Sequence, residues 1–315
     1  MSYRASGLFR EGQFIFVLAI ALGFAIGHLT VWLKPALLPI LAVAMTLSMS
    51  TISNRDLASL RNKPRPIAVS FLLNYTIMSG VLLLIGKWGV DDPVLWGGVV
   101  ILAAMPPATA VMPLTYLLGG DTTFALTGTA GLHLLSLVLA PGITLSILGQ
   151  HVIETSRLLL VLAQLIVAPL LLSRLLISTG LDQRIAKWRT QALNWCYFVV
   201  IFAVVGLNRE FFFQAPLTLV SIVAMSAVAT FGLGTLVNLV SKKLNIDPAR
   251  RISWAVMSTR KNNALASVIA IDLLGEKAAL PAAIMSIFSI LYFVWLSFYF
   301  KKTHHTPTTE QSQAL

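Results

Sequence analysis

The stretch WAVMSTRKNNALASVIAIDLL, residues 254–274, sets the problem that this chain poses. It is apolar and long enough to cross a bilayer, yet Arg260, Lys261, Asn262 and Asn263 stand together in its middle. An ionisable side chain at mid-membrane costs about 2.5–3.5 kcal/mol on insertion scales, so such residues point first to function. Snorkelling to the surface is the alternative. Arg260 lies nine residues beyond Arg251, about 13 Å along a helix, which is far for a side chain to climb.

The whole chain has the composition of an integral membrane protein. Of its 315 residues 57% are hydrophobic and 11% charged, and the mean hydropathy is +0.83; a soluble domain carries about 25% charged residues. The net charge of +11 suits basic loops on the cytoplasmic side better than a nucleic-acid surface, so no nucleic-acid partner is expected. Cys196 is the one cysteine, which excludes an internal disulfide and a cysteine-based metal centre. The opening MSYRASGLFREGQ leads straight into a full-length apolar segment and does not read as a cleaved signal.

Splitting the apolar runs at charged residues, Gly and Pro gives ten segments: 13–33, 36–53, 67–87, 94–118, 123–148, 156–177, 192–208, 216–240, 250–274 and 279–300. With a cytoplasmic N-terminus, sixteen basic residues fall on one side (Arg4, Arg10, Arg55, Arg61, Lys63, Arg65, Arg174, Arg184, Lys187, Arg189, Lys242, Lys243, Arg250, Arg251, Lys301, Lys302) and five on the other (Lys34, Lys87, Arg157, Arg209, Lys277). Both termini are therefore expected in the cytoplasm, the membrane being the plasma membrane, in a bacterium the inner membrane. YLLGGDTT (116–123) and DLLGEKAA (272–279) close the fourth and ninth segments 156 residues apart. Five segments per half is an odd number, so a duplicated unit must be inverted relative to its twin, and inverted repeats with discontinuous helices mark secondary transporters. The expected organisation is a cytoplasmic N-terminus (1–12), two five-helix repeats (13–150 and 151–302) and a disordered cytoplasmic tail (303–315), whose composition is polar and Pro/Thr-rich.

The fourth and ninth segments are the interrupted ones. Pro106, Pro107 and Pro113 cannot donate backbone hydrogen bonds and push the residues before them out of helical geometry. In the ninth, Asn262 and Asn263 suit the N-cap of a second half-helix starting near Ala264, whose dipole would add to Arg260 and Lys261 in attracting an anion. His133 and Asn74 lie within other segments and fit either a cavity wall or an interhelical structural role. Asp272 is too far along the helix to meet Lys261 directly. IAKWRT, 185–190, reads as an interfacial segment with Trp188 among headgroups.

These residues resemble the bile acid:sodium symporter family over nearly the whole chain. The family's fourth-span motif, Pro-Gly-Gly-Thr-Ala-Ser-Asn followed by Thr-Tyr-Leu, meets Pro106, Pro107, Ala108, Thr109, Ala110, Val111, Met112 and then Thr115, Tyr116, Leu117. Its ninth-span motif, Glu and then Gln-Asn and Leu-Ala, meets Met257, Lys261, Asn262, Leu265 and Ala266. The resemblance implies an all-α membrane fold of ten transmembrane helices, two inverted five-helix repeats with crossing, discontinuous fourth and ninth helices. It also implies sodium held by oxygens at Val111, Met112, Met257 and Lys261, where this chain has three apolar side chains and an ammonium. A hard cation needs oxygen ligands. Lys261 is thus expected to stand in for sodium as a tethered cation, with coupling either lost or carried by protons through Lys261, since a buried lysine titrates readily. Arsenite exporters of the same superfamily fit less well, because Met105 occupies the place of their thiol.

The expected function is transport of a small organic anion, with Arg260, Lys261, Asn262, Asn263, Thr109, Pro106, Pro107, Met112 and His133 as the substrate or coupling residues and no cofactor or metal. A proton/cation antiporter would want an acid in the crossing region, and none is there. An intramembrane enzyme would need paired acids or a nucleophile at depth; Asp121 falls at the end of a span with no partner. A membrane ligand sensor that does not transport is the remaining alternative.

Overall fold

The computed structural model describes residues 2–149, 152–214 and 216–304, with side chains over 14–149, 152–213 and 219–300. Among them there is no strand. The helices are α1 (Ser2–Ile26), α2 (Leu37–Met49), α3 (Asn54–Ser59), α4 (Pro64–Phe71), α5 (Ser79–Gly89), α6 (Pro93–Ala104), α7 (Val111–Leu117), α8 (Thr122–Leu148), α9 (Thr155–Leu162), α10 (Ala168–Ser178), α11 (Leu181–Leu207), α12 (Arg209–Gln214), α13 (Pro216–Ala227), α14 (Leu233–Lys243), α15 (Pro248–Met257), α16 (Asn263–Leu274) and α17 (Leu280–His304).

Among the described residues, seven helical stretches are long and apolar enough to cross a membrane. Phe14–Met49 is one of them, and it runs without interruption through the first two expected segments by way of a 3-10 helix, Gly27–Ala36. α4 and α5 are joined by a π-helical turn, Leu72–Met78, α9 and α10 by another at Ala163–Val167, and α13 and α14 by a third at Val228–Gly232. Pro93–Ala104 and Asn263–Leu274 are apolar but too short to span alone. They belong to the two interrupted segments. Large apolar side chains stay exposed on the outside, among them Val138, Leu84 and Phe298, as a lipid-facing surface requires.

Three details differ from the sequence-based expectations. The segment 185–190 is no separate interfacial element: α11 begins at Leu181, with Trp188 exposed on its side. The N-terminal region is helical from Ser2. α17 continues through His304, so only 305–315 of the expected tail lies outside the described residues.

The interrupted segments share a construction. α6 and α15 each open on an Asp-Pro pair, Asp92-Pro93 and Asp247-Pro248, in which the aspartate accepts two backbone N–H bonds and the proline takes the first turn, where no N–H is needed. α6 packs against α16, and α15 against α7, so the halves of the two segments cross. An ion pair ties each end. Asp92 takes the Lys277 ammonium, and Asp121 takes Arg250 at 3.3 Å. Asp121 therefore has a partner after all, and its side chain also caps α8 through the Phe124 N–H. Burial works against the Asp92 carboxylate, but the bond from Lys277, the Leu95 and Val94 N–H groups and the lysine's charge outweigh it and hold the carboxyl below its usual range.

Close backbone approach sets the remaining geometry, as expected where lipid removes the hydrophobic drive between helices. A Cβ on Gly98 would lie 2.0 Å from the Ala278 carbonyl oxygen, and one on Gly27 2.7 Å from the Gly206 Cα. Gly98→Ala should therefore lower stability by about 1–3 kcal/mol or more, while Gly142→Ala, in open space on α8, should be neutral or stabilising; thermal unfolding in detergent measures both. Since the Asp92 carboxyl is depressed in the folded protein, its contribution is present above the unfolded value and lost as the pH falls through the folded one. Asp92→Asn should flatten the acid side of the pH–stability profile.

Candidate functional site

The site is the pair of helix breaks and what satisfies them. Pro106 forces Met105 into an extended conformation and ends α6 at Ala104. Pro107 supplies no N–H either, and the chain resumes helix at Val111. Pro113 does not break it: it sits in the first turn of α7, where its missing N–H is harmless. In the other segment α15 stops at Met257, and Asn262 caps α16 by accepting the Leu265 N–H at 3.1 Å. The two breaks touch directly, through the Asn262 N–H to the Pro106 carbonyl at 2.9 Å.

A helix that ends in mid-membrane leaves carbonyls without partners. Here side chains reach across to them. The Lys261 ammonium, 1% exposed, donates to the Ala103 carbonyl at 2.9 Å and the Met105 carbonyl at 2.8 Å, and lies 4.4 Å from the centre of the Tyr75 ring. Ser79 adds a third donor, to Ala103 at 2.7 Å. At the end of α15 the buried Asn74 amide donates to the carbonyls of Met257 at 3.1 Å and Arg260 at 2.9 Å. The C-terminal ends of both half-helices are thus capped from outside their own segment. The negative end of the α6 dipole and a ring face meet at one ammonium.

Arg260 turns the other way, its guanidinium 5.8 Å from the centre of the Phe293 ring on α17. Among the described residues neither cation pairs with a carboxylate. Asn263 begins α16, and its side-chain oxygen is buried without a partner. Thr109, half-buried, has its hydroxyl 3.3 Å from that of Tyr197 on α11. Met112 and Tyr116 leave one face of α7 open, and Ala110 just before it is exposed as well, whereas α16 is buried along most of its length. His133 is buried in α8, away from the breaks, and lines a small cavity with Met49, Ile52 and Arg174.

These positions do not offer sodium a site. Val111 and Met257 are fully buried apolar side chains and Met112 has no oxygen to give. The nearby backbone carbonyls, of Ala103, Met105, Met257 and Arg260, are already taken by Lys261 and Asn74. Tyr75, Ser79 and Tyr197 also belong to the site, although an aromatic or a serine inside an apolar run gives no signal of it in the sequence. The duplicated Asp-Pro, in contrast, marks the start of both broken segments in the sequence itself.

The model of the sodium bile acid symporter family matches residues 38–247, up to the start of α15. An uncharacterized sodium-dependent transporter, YocS, of Bacillus subtilis (strain 168) is 25% identical over 298 residues, covering 92% of this chain and 90% of the relative. A probable sodium/metabolite cotransporter, BASS1, chloroplastic, of Oryza sativa subsp. japonica is 24% identical over 273 residues, 83% of this chain and 66% of that protein. The chain is an integral membrane transporter, not an enzyme, and it belongs to the sodium bile acid symporter family.

Proposed function

We propose that this protein is a secondary transporter of a small organic anion that works by alternating access, with the Lys261 ammonium in the place of a coupling sodium. One observation carries the reading: a buried ammonium donates to the two carbonyls at the end of a broken membrane helix. The relatives are named for sodium, and here a covalently held cation lies against the carbonyls that end α6. Two cations in the crossing without a carboxylate favour an anion as substrate, and the broken helices supply the mid-membrane position that such sites use. Coupling to sodium at this position is absent; any coupling runs on protons through Lys261.

Ten spans in two inverted halves fit the same reading. Offsets of 155 or 156 residues relate the Asp-Pro pairs, the starts of the π turns at Leu72–Met78 and Val228–Gly232, and Asp121 with Lys277, each a partner in one of the crossing ion pairs. The basic bias places both termini in the cytoplasm, of a bacterial inner membrane in the simplest case. On the opposite side, Lys34–Glu276 at 2.8 Å and Arg157–Asp272 at 3.1 Å close the end of α16 against neighbouring segments.

The full-length protein in detergent should melt at the same temperature in sodium chloride and in choline chloride of equal ionic strength. A ligand at 100 times its Kd adds about 2.7 kcal/mol, so a saturable, sodium-specific rise would be plain and would overturn the assignment of Lys261. Lys261→Met strands the Met105 carbonyl, while Ala103 keeps its bond from Ser79, and should cost about 1–3 kcal/mol; Lys261→Gln keeps an N–H donor and should cost less. In liposomes screened with organic anions across pH, Lys261→Gln should shift the pH dependence of uptake, and an unchanged profile would sink the proton version.

A further inference from the structure

The four ion pairs among the described residues divide by what they join. The helices form two groups: α1, α2, α10, α11 and the 3-10 turn Gly27–Ala36 pack on one another, and α4 to α8 pack with α13 to α17. α9 continues into α10 through its π turn and belongs to the first group. Contact between the groups runs mainly through α16, which meets α2, α9 and α11. Asp92–Lys277 and Asp121–Arg250 lie within the second group and fasten the crossing to itself. Lys34–Glu276 and Arg157–Asp272 run from one group to the other.

Both bridging pairs stand at the same end of α16. Lys34 is on the turn between α1 and α2, and that turn is locked to α11: an added Cβ on Gly206 would stand 2.5 Å from Thr30 Cγ2. Arg157 is in the first turn of α9. Their partners lie in the last turn of α16 and just beyond it, so one group carries both bases and the other both acids. Lys277 adds a contact of the same sense, its ammonium 4.7 Å from the centre of the Phe211 ring on α12, a helix whose Phe212 and Phe213 pack edge-on against Phe24 of α1. On the opposite face, where Asp121 and Arg250 meet, no ion pair among the described residues joins the groups. The four bridging side chains are between 30% and 55% exposed, so water and salt reach them, and pairs of this kind are weak enough to break and re-form. α16 itself starts at Asn263, next to the crossing at Lys261 and Asn262, so one helix runs from the site to the bridging pairs.

We propose that Lys34–Glu276 and Arg157–Asp272 form a two-point electrostatic latch, which holds the two helix groups together on the face that carries Lys34 and parts when the carrier opens to that face. The proposal rests on the alternating-access reading and adds which contacts set the balance between its two states. Two exposed pairs shift such a balance by about two- to thirtyfold. That is enough to fix the resting state and small enough for a ligand with a modest preference for the other state to reverse. The two pairs inside the crossing keep their partners throughout, because they move with one group.

Double electron–electron resonance on the full-length protein in lipid nanodiscs reads the two faces separately. In a Cys196→Ser background, spin labels at the exposed Val31 and Trp88 span the groups on the face of the latch, and labels at the exposed Leu181 and Leu244 span them on the opposite face. With all four charges intact, the Val31–Trp88 distance should show one dominant short population. Lys34→Gln combined with Arg157→Gln should raise a longer population about two- to thirtyfold, and so should about 1 M choline chloride, which screens the pairs without supplying sodium. Lys34→Glu alone should do the same, and adding Glu276→Lys should reverse it. A Val31–Trp88 distribution that the double neutralisation leaves unchanged overturns the latch. The second label pair separates this outcome from a failure of the wider reading. A longer gap at the latch with no change between Leu181 and Leu244 would leave the latch standing and remove alternating access. Opposite shifts of the two gaps on adding an organic anion, with neither moved by neutralisation, would keep alternating access and remove the latch.

Discussion

Everything at the centre of this protein follows from one constraint: a helix cut in mid-membrane must have its bare carbonyls answered, because hydrocarbon offers them no water. α6 and α15 are both cut in this way, and the answers come from Lys261 and Asn74. Each is a donor sent from one broken or bulged segment to the end of another. The crossing is therefore held by polar bonds at its middle, by ion pairs at its two ends, and by backbone contact at Gly98 in between. Removing any one of these leaves the others in place, but only Lys261 both satisfies backbone groups and carries charge.

The π turns belong to the same economy of backbone groups. The turn at Leu72–Met78 widens the helix where Asn74 and Tyr75 must both face the crossing, and such bulges often accompany functional positions. Its counterpart at Val228–Gly232 lies where Gly234 lets Tyr292 come close, since a Cβ there would stand 2.1 Å from the tyrosine oxygen. Corresponding irregularities thus serve different ends in the two halves. One supports a polar contact to the site and the other an aromatic packing contact.

Much of this is legible in the sequence, for reasons that differ by residue. Arg260 and Lys261 are legible because few explanations exist for adjacent cations in an apolar run. Pro106 and Pro107 are legible because covalent geometry forbids the helix; Pro113 is misleading because the same geometry is harmless in a first turn. Lys34 and Pro35 look like a loop, yet Gly27–Ala36 stays helical in 3-10 form and joins the first two segments. The charges at 184–189 likewise suggest a boundary, but a helix can carry them on an exposed face, and α11 does. What sequence cannot convey is where a side chain ends up: Tyr75 beneath an ammonium, or Tyr197 beside Thr109.

A cation fixed to the backbone changes the kinetics of a carrier as well as its selectivity. A dissociable ion leaves with its cargo, and the emptied protein turns round without that charge. Lys261 cannot leave. If the ammonium keeps its proton, the return stroke carries a bare positive charge through the apolar barrier, unless another anion rides back with it. On the reading proposed above, a cation held at Ala103 and Met105 would suit one-for-one counterflow better than net accumulation, and a released proton is what would free the empty carrier to return alone.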